Sequence, residues 1–66
     1  MSFTTMVSLA REIVEREKEI HYTRLAYLMR VNPQKAIQLL KALSEVDDRV
    51  VYDRGVAKWV GDEKTV

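Results

Sequence analysis

The 66-residue sequence contains no cysteine, a single histidine, one proline and two glycines. Without cysteine the chain can form neither a disulfide nor a thiolate metal site, and one histidine cannot build a metal centre alone. No run approaches the roughly 18 to 20 apolar residues that a membrane-spanning helix needs, and the N-terminus lacks the charged-then-apolar order of a signal peptide. We therefore expect a cytoplasmic protein without a metal, a cofactor, a small-molecule ligand or a membrane partner.

The residue patterns of an enzyme are also missing. There are no paired carboxylates in a predicted cleft, no nucleophile beside a base and no glycine-rich phosphate loop. A chain this short leaves little room for a pocket. The hydrophobic content of 47% and charged content of 32% are ordinary for a small globular domain. We expect one non-enzymatic domain over residues 1–66.

Charge is unevenly distributed along the chain, although the net charge is only +1. Residues 20–44 contain Arg24, Arg30, Lys35 and Lys41 and no acidic residue, whereas acids are frequent on either side of this stretch. Residues 49–60 carry three basic residues against one acid. Positive charge is thus predicted over the middle of the chain and the segment after its acidic boundary, where a nucleic-acid face would need it.

The first helix is predicted from about residue 6 to Lys18, with Thr4 or Thr5 as its N-cap. Its apolar residues fall on one side of a helical projection, which is typical of a supporting helix with a solvated outer face. They are Met6, Val7, Leu9, Ala10, Ile13 and Val14. The helical period then breaks at residues 19–22. This segment suits a short extended piece that could pair with a later strand, with Ile20 buried and His21 exposed.

A second and a third helix are predicted on either side of a tight turn. Thr23 is the expected cap of a helix over residues 24–30, with Tyr22 and Tyr27 at the spacing of a hydrophobic staple. Pro33 disfavours helical geometry at Asn32 and itself fits the first position of the next helix, which Asn32 can cap. The layout over residues 23–46 is that of a helix-turn-helix.

The third helix, over residues 33–46, separates its residues into two faces. The predicted buried stripe consists of Ala36, Leu39, Leu40, Leu43 and Val46. Gln34, Gln38 and Lys41 lie on the opposite face, and Lys35 and Ile37 flank that face. We expect the helix to end at Asp47-Asp48, with one of these two residues in the left-handed conformation.

Two short β-branched and aromatic runs, residues 49–53 and 56–60, surround Arg54-Gly55. This pattern predicts a hairpin with a tight turn. Tyr52 and Trp59 are expected to pack, one on each strand, and residues 61–66 to form a frayed tail.

The order of helix, extended piece, helix, turn, helix and hairpin resembles the winged helix-turn-helix superfamily over residues 6–60. The resemblance is carried by residues 22–26, by Asn32-Pro33, and by Ala36, Leu40 and Leu43. It is greatest to the compact winged helices of bacterial and archaeal transcription regulators. It implies an α+β, mainly α, fold of three helices and a C-terminal two-stranded β-hairpin, the wing, over residues 49–60.

The resemblance also implies a small regulator that binds double-stranded DNA, with helix 33–46 in the major groove and the wing against an adjacent groove or the backbone. Carried over position by position, the expected DNA-binding residues are Thr23, Arg24, Gln34, Lys35, Ile37, Gln38, Lys41, Arg54 and Lys58. Glutamine can pair with adenine, lysine can reach guanine or a phosphate, and Ile37 can meet a thymine methyl.

A protein-interaction role is the alternative interpretation, as a winged-helix subunit of a transcription, replication or chromatin complex. The short wing, the apolar Ile37 and the low net charge are all compatible with it. It predicts an exposed apolar patch that includes Ile37, Val7, Val14 or Phe3. A homodimer formed through the first helix or the hairpin edge is a further hypothesis.

Overall fold

Three helices and a three-stranded antiparallel sheet make up residues 2–61, the part of the chain that the computed structural model describes. In chain order the elements are α1 (Phe3–Glu17), β1 (Glu19–His21), α2 (Tyr22–Met29), α3 (Pro33–Val46), β2 (Val50–Asp53) and β3 (Val56–Trp59). The predicted α+β, mainly helical, winged-helix layout is confirmed. Of the predicted tail, only Gly61 lies within the described residues. No helix in this part of the chain is long and apolar enough to cross a membrane.

Helix α1 begins earlier than predicted. Ser2 is its N-cap, and the Ser2 hydroxyl accepts a hydrogen bond from the Thr5 backbone N–H at 3.2 Å. The predicted caps Thr4 and Thr5 are therefore wrong, because the chain offers a third hydroxyl residue one turn upstream. The predicted apolar side is confirmed at its centre, where Ala10 and Val14 are fully buried.

Helix α2 also begins earlier, at Tyr22, and His21 caps it. The imidazole Nδ1 of His21 accepts a hydrogen bond from the Thr23 backbone N–H at 3.3 Å. The predicted Thr23 cap is wrong, and so is the predicted Tyr22–Tyr27 staple, since Tyr27 is 78% exposed. With the cap shifted to His21, Ile20 and Leu25 take the two staple positions, and both belong to the core.

Helix α3 has the predicted bounds. The Asn32 Oδ1 accepts a hydrogen bond from the Lys35 backbone N–H at 2.8 Å, and Pro33 occupies the first turn. The predicted buried stripe is confirmed at Ala36, Leu39, Leu40 and Leu43. Val46 was predicted to be buried but is 76% exposed, because it lies on the rim of an open groove between α1 and α3.

The end of α3 does not use a left-handed residue. Asp47 is extended, with φ −133° and ψ 108°, and Asp48 does not have a positive φ either. An extended Asp47 turns its carboxylate forward, where it accepts a hydrogen bond from the Arg49 backbone N–H at 3.0 Å. This side-chain bond organises the turn into β2 without the usual glycine.

The sheet has the strand order β1-β3-β2, so the extended piece after α1 does pair with a later strand. Ile20 and Tyr52 lie on either side of Ala57 in the register. The predicted hairpin is confirmed, and its two turn residues, Arg54 with φ 51° and Gly55 with φ 84°, have the positive φ values of a type I′ turn. Trp59 is buried and Tyr52 half-buried against the core, as predicted.

Candidate nucleic-acid interface

The outward face of α3 carries three of the predicted residues together. Gln34, Gln38 and Lys41 are all exposed, and their spacing places them on the face opposite the buried Ala36. Glu45 continues the same face by one more turn and is also exposed. The part of this face without negative charge therefore extends from Gln34 to Lys41, and the capped start of the helix fixes its orientation.

Lys35 and Ile37 flank this face on opposite sides, and both are half-buried. The ammonium of Lys35 lies 5.2 Å from the centroid of the Phe3 ring, so Lys35 is directed towards α1. The structure thus sets Lys35 apart from Gln34, Gln38 and Lys41. Only the exposed part of Ile37 is available for a contact beside the glutamines.

The hairpin turn is joined to the start of α2. The Tyr22 backbone N–H donates to the Gly55 carbonyl at 2.8 Å. A β-carbon on Gly55 would lie 2.9 Å from Cδ1 of the Tyr22 ring, so the turn lies directly on that ring. Arg54 precedes Gly55, and Thr23 and Arg24 follow Tyr22. The structure therefore brings Arg54 to the same end of the molecule as Thr23 and Arg24, and all three are exposed.

The Thr23 hydroxyl already has a neighbour within the domain. Its Oγ1 lies 2.7 Å from the Nδ1 of His21, the same nitrogen that accepts the Thr23 N–H. The contact fixes the hydroxyl at the first turn of α2. From there the oxygen can still accept a further hydrogen bond, and the neighbouring Arg24 can donate several.

Lys58 lies away from the turn, in the central strand β3. It is opposite Glu19 in β1 and Val51 in β2, on the solvent face of the sheet. The wing does not project from the domain, because β1 runs beside the hairpin as far as the pair His21 and Val56. The structure does not bring Lys58 together with the face of α3.

Eight of the ten basic residues in residues 2–61 fall into two groups, and Lys18 and Lys35 belong to neither. Arg11, Arg16 and Arg49 each have a guanidinium nitrogen within 3.6 Å of a carboxylate oxygen. Five others make no ion pair within residues 2–61: Arg24, Arg30, Lys41, Arg54 and Lys58. All but Lys58 belong to α2, α3, the turn between them or the hairpin tip. Unneutralised positive charge is thus concentrated around the helix-turn-helix.

Tyr27 and Arg30 are exposed residues that the sequence reasoning did not assign to the site. Tyr27 follows Thr23 at the spacing of one helical face of α2, and Arg30 is the left-handed residue directly after the helix. The signal was available in the sequence, but the staple that was expected between Tyr22 and Tyr27 directed Tyr27 inward.

Asp47, at the end of α3, contacts two of the paired cations, Arg11 and Arg49. Its two carboxylate oxygens accept from Nε and Nη2 of Arg49, both at 3.0 Å, and the Arg11 Nε lies 3.3 Å away. The hydrogen bond from Arg49 is the main reason that the pKa of Asp47 is lowered to about 2. Both guanidiniums also lie over the Trp59 ring, at 5.6 Å for Arg11 and 5.2 Å for Arg49.

An apolar groove of about 440 Å³ lies along the junction of α1 and α3. Phe3, Val7, Ala42 and Val46 are among its lining residues, and Phe3 is 43% exposed. The apolar patch that a protein-interaction role requires therefore has candidates in Phe3 and Val7. Val14 was wrongly expected to contribute, because it faces the core and is fully buried.

No protein-family model matches the chain, and comparisons with curated proteins and with solved structures gave no match.

Proposed function

We propose that the chain is a small winged-helix protein that binds double-stranded DNA in the cytoplasm and regulates transcription by inserting α3 into the major groove. One observation carries this proposal: within residues 2–61, the cations of the helix-turn-helix and the hairpin tip make no ion pair, whereas Arg11, Arg16 and Arg49 each lie within 3.6 Å of a carboxylate. Positive charge that is free of internal partners is what a polyanion requires.

The outward face of α3 supplies the groups that read base edges. Gln34 and Gln38 present amides that can pair with the N6 and N7 positions of adenine, and Lys41 can donate to the acceptors of guanine or to a phosphate. Ile37 offers its exposed edge to a thymine methyl group. Lys35 contributes when its ammonium leaves the Phe3 ring.

The end of the molecule that carries the hairpin turn supplies the backbone contacts. Thr23 and Arg24 lie in the first turn of α2, where the helix dipole favours a phosphate, and Arg54 lies beside them. Such contacts position the protein and carry no sequence information. Because these cations are few, binding is expected to be strongly salt-dependent. Lys58 adds to the long-range field from the sheet.

A titration of duplex DNA at two salt concentrations tests this proposal. We expect Lys41→Ala to bind about 5- to 10-fold more weakly at low salt and to reduce the salt slope by about one, because one phosphate or guanine contact is lost. Gln38→Ala should weaken binding to a selected sequence more than binding to random duplex, since an amide contact reads base identity.

Arg16→Ala is the matched control, because it removes an exposed cation that is paired with Glu17 on α1. It should bind nearly as the wild type does. The proposal is contradicted if folded wild-type protein does not bind DNA at low salt, or if Arg16→Ala weakens binding as much as Lys41→Ala.

A protein-interaction subunit of a transcription, replication or chromatin complex is the second candidate. The exposure of Phe3 and Val46 along the α1–α3 groove favours it, since exposed apolar residues at a groove are typical of helix-binding surfaces. In the same titration, a folded chain without affinity for DNA would favour this role.

A further inference from the structure

Strand β2 is an open edge of the sheet, because the order is β1-β3-β2. The Arg49 carbonyl accepts from the Val60 N–H at 2.7 Å, so the carbonyl of residue 49 points towards β3 and its continuation. In an antiparallel ladder this direction alternates. Val51 and Asp53 therefore also point to β3, whereas the Val50 carbonyl and both backbone groups of Tyr52 point to the open edge.

The edge is short, with four residues in β2, and its backbone is accessible for pairing. It contains no proline, no lysine and no bulge, and the apolar Val51 at its centre is 47% exposed. One backbone group is already used, because the Val50 N–H donates to the Asp47 carbonyl at 3.1 Å. The open edge therefore retains one donor and two acceptors.

The sequence around this edge is complementary to itself when read in the opposite direction. Residues 48–54 are Asp-Arg-Val-Val-Tyr-Asp-Arg. Antiparallel pairing of two copies about Val51 sets Arg49, directly before β2, opposite Asp53, and it brings the turn residues Asp48 and Arg54 opposite one another at the ends of the pair. Opposite charges facing each other across strands stabilise a pair, and like charges destabilise it.

Neighbouring registers lose this complementarity. Pairing about Val50 would set Asp47 opposite Asp53, two like charges. Pairing about Tyr52 would set Arg54 opposite Val50 and remove both charge pairs. If the two-fold axis passed between two residues, each residue whose backbone groups point to the open edge would lie opposite one whose groups point to β3. The hydrogen bonds between the two copies could then not form. Charge and hydrogen-bond direction thus select the same centre, Val51.

We propose that the partner of the β2 edge is a second copy of this chain, paired antiparallel about a two-fold axis at Val51. The Tyr52 N–H of each copy donates to the Val50 carbonyl of the other, and the two Val51 side chains meet at the axis as the close, non-hydrogen-bonded pair. In this arrangement Arg49, whose Nε and Nη2 are bonded to Asp47, faces Asp53 of the other copy. The two sheets become one sheet of six strands.

The mass of the protein in solution, without DNA, tests this inference and is independent of the proposed function. At about 1 mM protein, a concentration suited to a small and weak interface, sedimentation equilibrium should show a mass approaching twice 7.7 kDa. Val51→Lys should weaken association at least about 10-fold, because it sets two ammonium groups at the axis. Its circular dichroism should remain that of the wild type.

A charge exchange at the ends of the pair gives a sharper test. Arg54→Asp and Asp48→Arg should each prevent self-association, since each sets like charges opposite one another at both ends. A mixture of the two variants should associate, because the mixed dimer has an opposite charge at each of these positions. The aspartate in Arg54→Asp tolerates the left-handed turn position.

Val46→Lys is the control, because Val46 is an exposed apolar residue of the α1–α3 groove, away from β2. It should associate as the wild type does. A monomeric wild type at about 1 mM overturns the inference. So does loss of association in Val46→Lys but not in Val51→Lys, which would assign the second copy to the groove, and so does a folded variant mixture that stays monomeric.

Discussion

Two sides of this small domain use the same residue types differently. On one side, Arg11 and Arg49 share the Asp47 carboxylate and lie over the Trp59 ring. On the other side, Arg24 and Lys41 are exposed and have no carboxylate partner within residues 2–61. We refer to these as the paired side and the unpaired side.

The comparison shows why the net charge of +1 says little about binding. Arginines of the paired side hold the end of α3 against β2 and β3, so their charge is used within the fold. The cations of the unpaired side stabilise nothing that the structure shows, and their charge remains available to a polyanion. Pairing, and not composition, decides what each cation can do.

Removing one aromatic ring from each side should give the largest difference in stability. Trp59→Ala should lower the free energy of unfolding by about 3 kcal/mol, because a buried ring and its contacts to two guanidiniums are lost. Tyr27→Ala, on the unpaired side, should change it by no more than about 0.5 kcal/mol, since Tyr27 is 78% exposed. Urea unfolding followed by circular dichroism measures both. Equal effects would contradict the distinction between the sides.

Acid should weaken the paired side selectively. The pKa of Asp47 is lowered from 3.8 to about 2, chiefly by its hydrogen bond to Arg49. A lowered pKa means that the carboxylate contributes stability above about pH 4 and loses this contribution as the pH falls through about 2. The loss should be about 1 kcal/mol, because the arginines border solvent and are screened.

The measurement is the free energy of unfolding between pH 5 and pH 2 for the wild type and for Asp47→Asn. The part of the acid dependence that Asp47 supplies should be absent from the variant. About 0.5 M salt should reduce the wild-type effect. Identical pH profiles for the two proteins would show that the Asp47 pair contributes no stability.

The smallest expected effect on stability concerns the unpaired side, where a helix cap and not an ion pair stabilises the start of α2. His21→Ala should cost about 0.5 kcal/mol, because the Thr23 N–H loses its acceptor at the start of α2. His21→Asn should retain the wild-type stability, since asparagine is a good cap. Thermal unfolding at low and high salt measures this, and the cost should not depend on salt. A salt-dependent cost would indicate that His21 acts through charge instead.

Elements with strong local signals could be predicted from the sequence. Asn32-Pro33 defined the start of α3, and Arg54-Gly55 defined the hairpin turn, because few residues tolerate those backbone conformations. The sequence predicted the starts of α1 and α2 too late in the chain, and the reason in both cases is the choice of N-cap residue. Several hydroxyl residues compete as caps of α1, and histidine is not among the preferred caps of α2.

What the sequence could not supply depends on contacts between distant segments. The outward face of α3 followed from helical spacing alone. The direction of Lys35 did not, because it is set by Phe3 on another helix. The Asp47 cluster joins α1, the end of α3 and β3, and no local pattern indicates that Arg11 reaches it.

The contact between Gly55 and Tyr22 has a consequence for how this domain can change over evolutionary time. Hairpin tips usually tolerate insertions, because they are surrounded by solvent. Here the turn is anchored to the rest of the domain. The Gly55 carbonyl accepts a hydrogen bond from Tyr22, the first residue of α2, and the Gly55 α-carbon lies against the Tyr22 ring. A longer loop would move Gly55 away from Tyr22 and remove this contact. A lineage that acquires a longer wing must therefore anchor the start of α2 in another way.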